Sequence, residues 1–177
     1  MNEDLKTWLE THEPGCRPAD LAFLALKDTF VSGDPSGHRL SVRYYQRQED
    51  LVLRGKAVFG PRTQGPPDHA HGGAMAALLD EAMGGAAWLA GHPVVAANLN
   101  ITFRQMLPLN SPCYVEAHVT GVDGRKVRTQ GIIRSRDGLQ TYSEGEALFI
   151  TLDEGRIGDL SAKAQVIVDR LHKDKRD

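Results

Sequence analysis

The sequence predicts an α+β fold in which one antiparallel sheet of five to six strands wraps around a single long central helix. Three observations predict it. Apolar and polar residues alternate with a period of two over 38–59 and again over 94–152, which is the pattern of half-buried strands. Between these stretches, Gly72 to Leu89 is rich in helix formers and apolar on almost every side, so it reads as a buried helix. The pairs Asp123-Gly124 and Asp137-Gly138 then mark tight reversals between successive strands. Strands, one apolar helix and more strands can bury their apolar faces together if the sheet curves around the helix.

Taken in order, Asp4 to Thr11 places Leu5, Trp8 and Leu9 at helical spacing, and Pro14-Gly15 ends that helix. Pro18 to Asp28 is expected to form a second short helix. From His38, Leu40, Val42 and Tyr44 alternate with polar neighbours; after the polar turn Gln46 to Asp50, Leu51 to Phe59 alternates again, which makes a hairpin. Gly60 to Ala70 carries three prolines and two glycines and is loop. The central helix follows, and then strands at Val94 to Phe103, Tyr114 to Val122, Lys126 to Arg134 and Gln140 to Leu152, the last three forming a meander. Beyond Asp153 the chain is charged and weakly patterned, with a loose helix expected from Leu160 to Leu171. The expected organisation is an N-terminal helical segment over 1–36, the sheet-and-helix domain over 37–153 and a charged tail over 154–177.

Composition narrows the function classes. A chain of 177 residues with 41% hydrophobic residues buries a core without disulfide or metal staples. Its 21 basic and 23 acidic residues nearly balance, and no segment interleaves Lys and Arg with aromatics, so nucleic acid is not an expected partner. Cys16 and Cys113 match no metal or redox spacing and read as free thiols. Met1 to Glu13 is acidic and amphipathic, unlike a signal peptide, so the cytoplasm is the expected compartment. Asp80 and Glu81 interrupt the apolar stretch Ala74 to Gly91, so no membrane span is expected there.

The chemistry concentrates where the loop enters the central helix. Pro66-Pro67-Asp68-His69-Ala70-His71-Gly72-Gly73 leads straight into it, and a glycine-rich helix entry leaves backbone N–H groups open to a carbonyl or oxyanion. Such a motif alone also serves close packing of helix on sheet. Nine residues after His71 stands Asp80, among Ala76, Ala77, Leu78, Leu79, Ala82 and Met83. A carboxylate in so apolar a helix is costly unless used or solvated. Its helical neighbours Ala76, Ala77, Met83 and Gly84 include small residues that leave room for a ligand, whereas Glu81 is assigned a structural role.

At a rise of ~1.5 Å per residue, Asp80 lies roughly 10–12 Å down the helix from the amides of Gly72 and Gly73. One chain cannot bring both to one carbonyl. Two helices packed antiparallel across a two-fold axis can, and they create two equivalent sites. The pair suits thioester cleavage, because the leaving thiol, with a pKa of about 8.5, needs little protonation. Asp80 serves either as base towards water or as the nucleophile, and these alternatives stay open.

Other constellations are weaker. His69 and His71 lack a third ligand at metal-binding spacing, so no metal is expected. Ser111, Ser143 and Cys113 lack a nucleophile-elbow context. Arg104, Arg125, Lys126 and Arg128 are candidates for the phosphates of a coenzyme A, beside the reading as solvated charges.

Gln64-Gly65-Pro66-Pro67, Ala70-His71-Gly72-Gly73-Ala74, Leu79-Asp80 and Met83-Gly84 resemble the hot-dog thioesterase superfamily, in particular its PaaI-like branch and the thioesterase-superfamily-member-4-like subgroup. Ala97-Asn98-Leu99-Asn100-Ile101, Pro108-Leu109, Glu144 and Leu148-Phe149-Ile150 extend the likeness, which covers about residues 50–152. The resemblance implies a hot-dog fold, a homodimer with a continuous sheet, often paired again as a dimer of dimers, and hydrolysis of an acyl-CoA without cofactor. It implies Asp80 as base or nucleophile, a backbone amide of Gly73 or Gly72 on the thioester carbonyl, His71 as shaper of the turn and Asn98 among the substrate-binding candidates. Two departures stand out: Gly65 occupies a position where many PaaI-like members carry Asn, and Ala96 one where the other subgroup often carries Thr. The alternatives are a non-catalytic acyl-CoA-binding module on the same fold, and a hydratase or dehydratase, for which His71 is poorly placed.

Overall fold

In the computed structural model the described residues are 1–21, 24, 29–32, 34 and 36–152. The first helix, α1 (Glu3–Glu10), is capped by Asn2, whose side chain accepts the Leu5 N–H at 2.9 Å. Its Leu5, Trp8 and Leu9 pack on Val58 and the edge of Tyr114. This cluster is separate from the main core.

The sheet has seven antiparallel strands: β1 (Cys16–Pro18), β2 (Leu40–Arg47), β3 (Leu53–Phe59), β4 (Val94–Phe103), β5 (Pro112–Asp123), β6 (Lys126–Ser135) and β7 (Thr141–Thr151). Their order across the sheet is β1-β2-β3-β5-β6-β7-β4. The expected meander is therefore present as β5-β6-β7, turning through Gly124 and Gly138, both with positive φ. The seventh strand was not expected. Cys16 to Pro18 pairs with Tyr45 to Arg47, so the helix expected from Pro18 does not start there; 22–23 and 25–28 lie outside the described residues, as does the tail from 153 onward. Proline is tolerated here because β1 is an edge strand.

The central helix, α2 (Gly72–Leu89), has the bounds read from the sequence. Met75, Leu78, Leu79, Ala82, Met83, Ala86 and Ala87 are buried in one core with Val115, Ala117, Val127, Ile133, Ala147 and Phe149 of the sheet. Burial on so many sides explains why the helix is apolar nearly all round.

The two sheet edges differ. One is the three-residue β1, while the other is the ten-residue β4, paired only with β7 and exposed along most of its length. Val95 and Phe103 stand out from β4 as large exposed apolar side chains. A long edge with free backbone groups and apolar side chains is a template for further strand pairing. No helix among the described residues is long and apolar enough to cross a membrane.

Candidate active site

The loop before α2 is held by backbone hydrogen bonds on both sides. The His71 N–H donates to the Thr63 carbonyl at 2.7 Å, Ala70 N–H to Leu107 at 2.8 Å and Gly65 N–H to His69 at 3.0 Å. His71 is the extended N-cap residue of α2, and its Nδ1 accepts the Gly73 N–H at 2.8 Å. Its carbonyl accepts from Ala74 at 2.9 Å and Met75 at 3.3 Å. Gly72, the first helical residue, precedes the intrahelical ladder, and its N–H meets no acceptor among the described residues. The two glycines therefore differ: one amide is capped and the other is open at the positive end of the helix dipole.

Both departures of the loop and strand have a place in this geometry. A Cβ on Gly65 would lie 2.8 Å from the His71 Cα, so the chain passes the helix entry too closely for a side chain. Ala96 lies on β4 opposite Phe149, just before a register shift that leaves Ala97 unpaired and brings Asn98 opposite Leu148. Phe103, at the far end of the same strand, lies over the helix entry, its Cζ 3.2 Å from where a Cβ on Gly72 would stand. Sequence reasoning did not single Phe103 out, since one more apolar residue in a strand carries no signal.

Asp80 is half-buried, and desolvation alone raises its carboxyl pKa. Ala76, Ala77 and Gly84 around it are also partly exposed, so the carboxylate opens on a face lined by small residues. Glu81 behaves differently. It accepts the Tyr44 hydroxyl at 3.0 Å on Oε1 and the Ser32 hydroxyl at 3.3 Å on Oε2, and burial pushes its pKa up to about 7 against these hydrogen bonds. It joins α2 to β2 and to the segment before it, in keeping with the structural role assigned to it.

The other candidates are scattered. Asn98 is exposed on β4. Arg104 donates through Nε to Glu144 at 2.9 Å at the end of β4 nearest Gly72. Arg125 donates to the Thr151 carbonyl at 3.1 Å, and it stands with Lys126 and Arg128 at the other end of the sheet. Over a strand of this length that separation is roughly 30 Å, so one subunit does not gather the four cations at one site. His69 holds the Pro67 carbonyl at 2.8 Å through Nδ1. Among the described residues no three His, Cys, Asp or Glu side chains cluster as a metal site. Cys113 and Ser143 are fully buried inside the sheet layer, and burial raises the Cys113 thiol far above its ordinary range.

Residues 68–142 match the family model of the thioesterase superfamily. Acyl-coenzyme A thioesterase THEM4 of Xenopus laevis is 39% identical over 94 residues, which is 52% of this chain and 42% of that protein. THEM4 of Bos taurus is 42% identical over 94 residues, covering 53% of this chain and 38% of its own. This chain thus spans less than half the length of those curated relatives. A crystal structure of a thioesterase superfamily protein superposes with a TM-score of 0.59 at 35% identity, covering 62% of this chain and 53% of that one.

An antiparallel sheet wrapped on one helix, with a glycine-rich entry and a carboxylate further along the helix, defines a hot-dog-fold protein. Within the sheet-and-helix unit of this chain, residues 68–142 are similar to the thioesterase superfamily.

Proposed function

We propose that the protein is an acyl-CoA thioesterase acting as a homodimer, with Asp80 of one subunit facing the Gly72 amide of the other. The observation that carries this reading is the half-buried Asp80 on the same helix as an open entry amide, too far along it to share a carbonyl within one subunit. Pairing two β4 edges antiparallel extends the sheet across a two-fold axis, covers Val95 and Phe103, and sets the two α2 helices antiparallel. Pairing of such dimers follows from the resemblance. The curated relatives' names support the acyl-CoA substrate.

In the base route, Asp80 takes a proton from a water as its oxygen adds to the thioester carbonyl. The oxyanion receives the Gly72 N–H, and the helix dipole favours its charge. Collapse breaks the carbon–sulfur bond, and the thiolate leaves with little need of an acid. In the nucleophile route, the Asp80 carboxylate adds to the carbonyl and the carbon–sulfur bond breaks to expel the thiolate, and water then cleaves the resulting mixed anhydride to the free acid and the Asp80 carboxylate. Gly73 remains a second candidate donor, available when the His71 ring turns away.

Release of free thiol from a panel of acyl-CoAs tests the reading. Wild type turns over at least one member, and Asp80→Asn loses about 10²–10⁴-fold in kcat while remaining folded and dimeric. Undiminished turnover in that variant overturns it. Ala96, in place of a hydroxyl residue, favours one second reading: a non-catalytic acyl-CoA-binding module, which binds across the panel and releases no thiol.

A further inference from the structure

Strand pairing sets five residues in one row beneath α2: Leu53 of β3, Ala117 of β5, Gly131 of β6, Gly145 of β7 and Ile101 of β4. The middle three carry a methyl group or nothing, so they form a trough across the strands. At a strand spacing of about 4.8 Å, this trough is about 10 Å long. Neither Gly131 nor Gly145 has a positive φ, so the backbone does not demand glycine at either place. Space above the sheet does. A Cβ on Gly131 would stand 2.9 Å from Met83 Cγ and 3.1 Å from Leu79 Cδ2, and one on Gly145 would stand 2.5 Å from Ile101 Cδ1 and 3.6 Å from Met83 Cε.

Met83 therefore lies lengthwise in the trough, from Gly131 towards Gly145, and is fully buried. It sits three residues along α2 from Asp80, so on the helix surface it is the next side chain inward from the carboxylate. The row ends at Ile101 on β4, the edge that the proposed dimer covers, so the trough runs inward from the place where the thioester carbonyl would lie. Methionine is unbranched, with three rotatable side-chain bonds, so its extended side chain fills the length of such a slot. Strand glycines otherwise weaken a sheet, and two of them paired directly across it make room for one adaptable side chain.

We propose that Met83 is the chain-length stop of the acyl pocket: a straight acyl chain runs from the carbonyl at Asp80 along α2 into the glycine trough, and Met83 sets how far it goes. This rests on the thioesterase reading. The experiment measures kcat/KM for straight-chain acyl-CoAs from acetyl to palmitoyl in wild type, Met83→Ala, Met83→Val and Met83→Leu. Emptying the trough moves the optimum of Met83→Ala to longer chains, with about a tenfold gain for a substrate about two carbons beyond the wild-type limit. Met83→Val shows a smaller move in the same direction and serves if the alanine variant does not fold. Met83→Leu, of similar volume, keeps the wild-type profile. A chain-length profile unchanged in both shortened variants, or moved as far by leucine as by alanine, overturns the inference and leaves the thioesterase reading standing. Absence of turnover by wild type across the whole panel removes both.

Discussion

His71 Nδ1 accepts the Gly73 N–H at 2.8 Å, so the imidazole caps the first turn of α2 instead of standing free as an acid or base. An N-cap acceptor is typically worth about 1 kcal/mol, and asparagine performs the same task. His71→Ala is expected to lose about 1 kcal/mol in urea unfolding, whereas His71→Asn stays near wild type in stability and within about tenfold in kcat. A collapse of turnover in His71→Asn as deep as in Asp80→Asn would assign the ring a direct part in the chemistry.

The helix entry has no spare room at Gly65, where a Cβ would come within 2.8 Å of the His71 Cα. Backbone on one side and a pinned loop on the other leave little that can yield. Gly65→Ala is expected to destabilise by about 1–3 kcal/mol, the usual range for overpacking, and to lower kcat more than it raises KM because the Gly72 amide is displaced. Urea unfolding with steady-state kinetics checks both, and an unperturbed enzyme would show that the turn absorbs a methyl group.

Glu81 gives stability a pH dependence of definite sign. Burial pushes its carboxyl up to about 7 in the folded chain, against 4.5 for an ordinary glutamate. Between those values the folded state holds a proton that the unfolded state has lost, so the stabilisation is full below about 4.5 and declines as pH rises through about 7. The melting temperature of wild type is expected to fall over that window, and Glu81→Gln, which keeps an acceptor for Tyr44 and removes the titration, is expected to flatten the decline. An equal slope in both proteins would place the titrating group elsewhere.

The parts of the fold legible in the sequence are those whose signal is local. Gly72 to Leu89 announces itself through helix formers flanked by a Pro-rich loop and Gly91, and β4 to β7 through alternation broken at Asp123-Gly124 and Asp137-Gly138. β1 is too short to alternate and contains Pro18, and it becomes a strand only because Arg17 meets Gln46 across the sheet edge. Asp80 was legible because a carboxylate in an apolar helix is conspicuous on its own. Glu81 is set apart in one dimension only by its place one residue round the helix, and the partners that hold it, Tyr44 and Ser32, are 37 and 49 residues away in the chain. In the same way Gly131 and Gly145 are unremarked strand glycines until the register sets them side by side.

Mixed dimers of Asp80→Asn and Gly72→Pro probe the sharing of the site between subunits. Proline suits the backbone of the first helical position and removes the Gly72 N–H while its ring presses on Phe103, whose Cζ is 3.2 Å from a Cβ at Gly72, and His71 already has the extended backbone that a following proline requires, with φ −65° and ψ 138°. Each homodimer is expected to lose at least about 10²-fold in kcat. Combining the two chains should restore one intact site per heterodimer, built from Asp80 of the proline chain and the Gly72 amide of the asparagine chain. Recovery of turnover to about half the wild-type value per dimer is the expected result; mixed dimers as inactive as either parent would contradict a site divided between two copies.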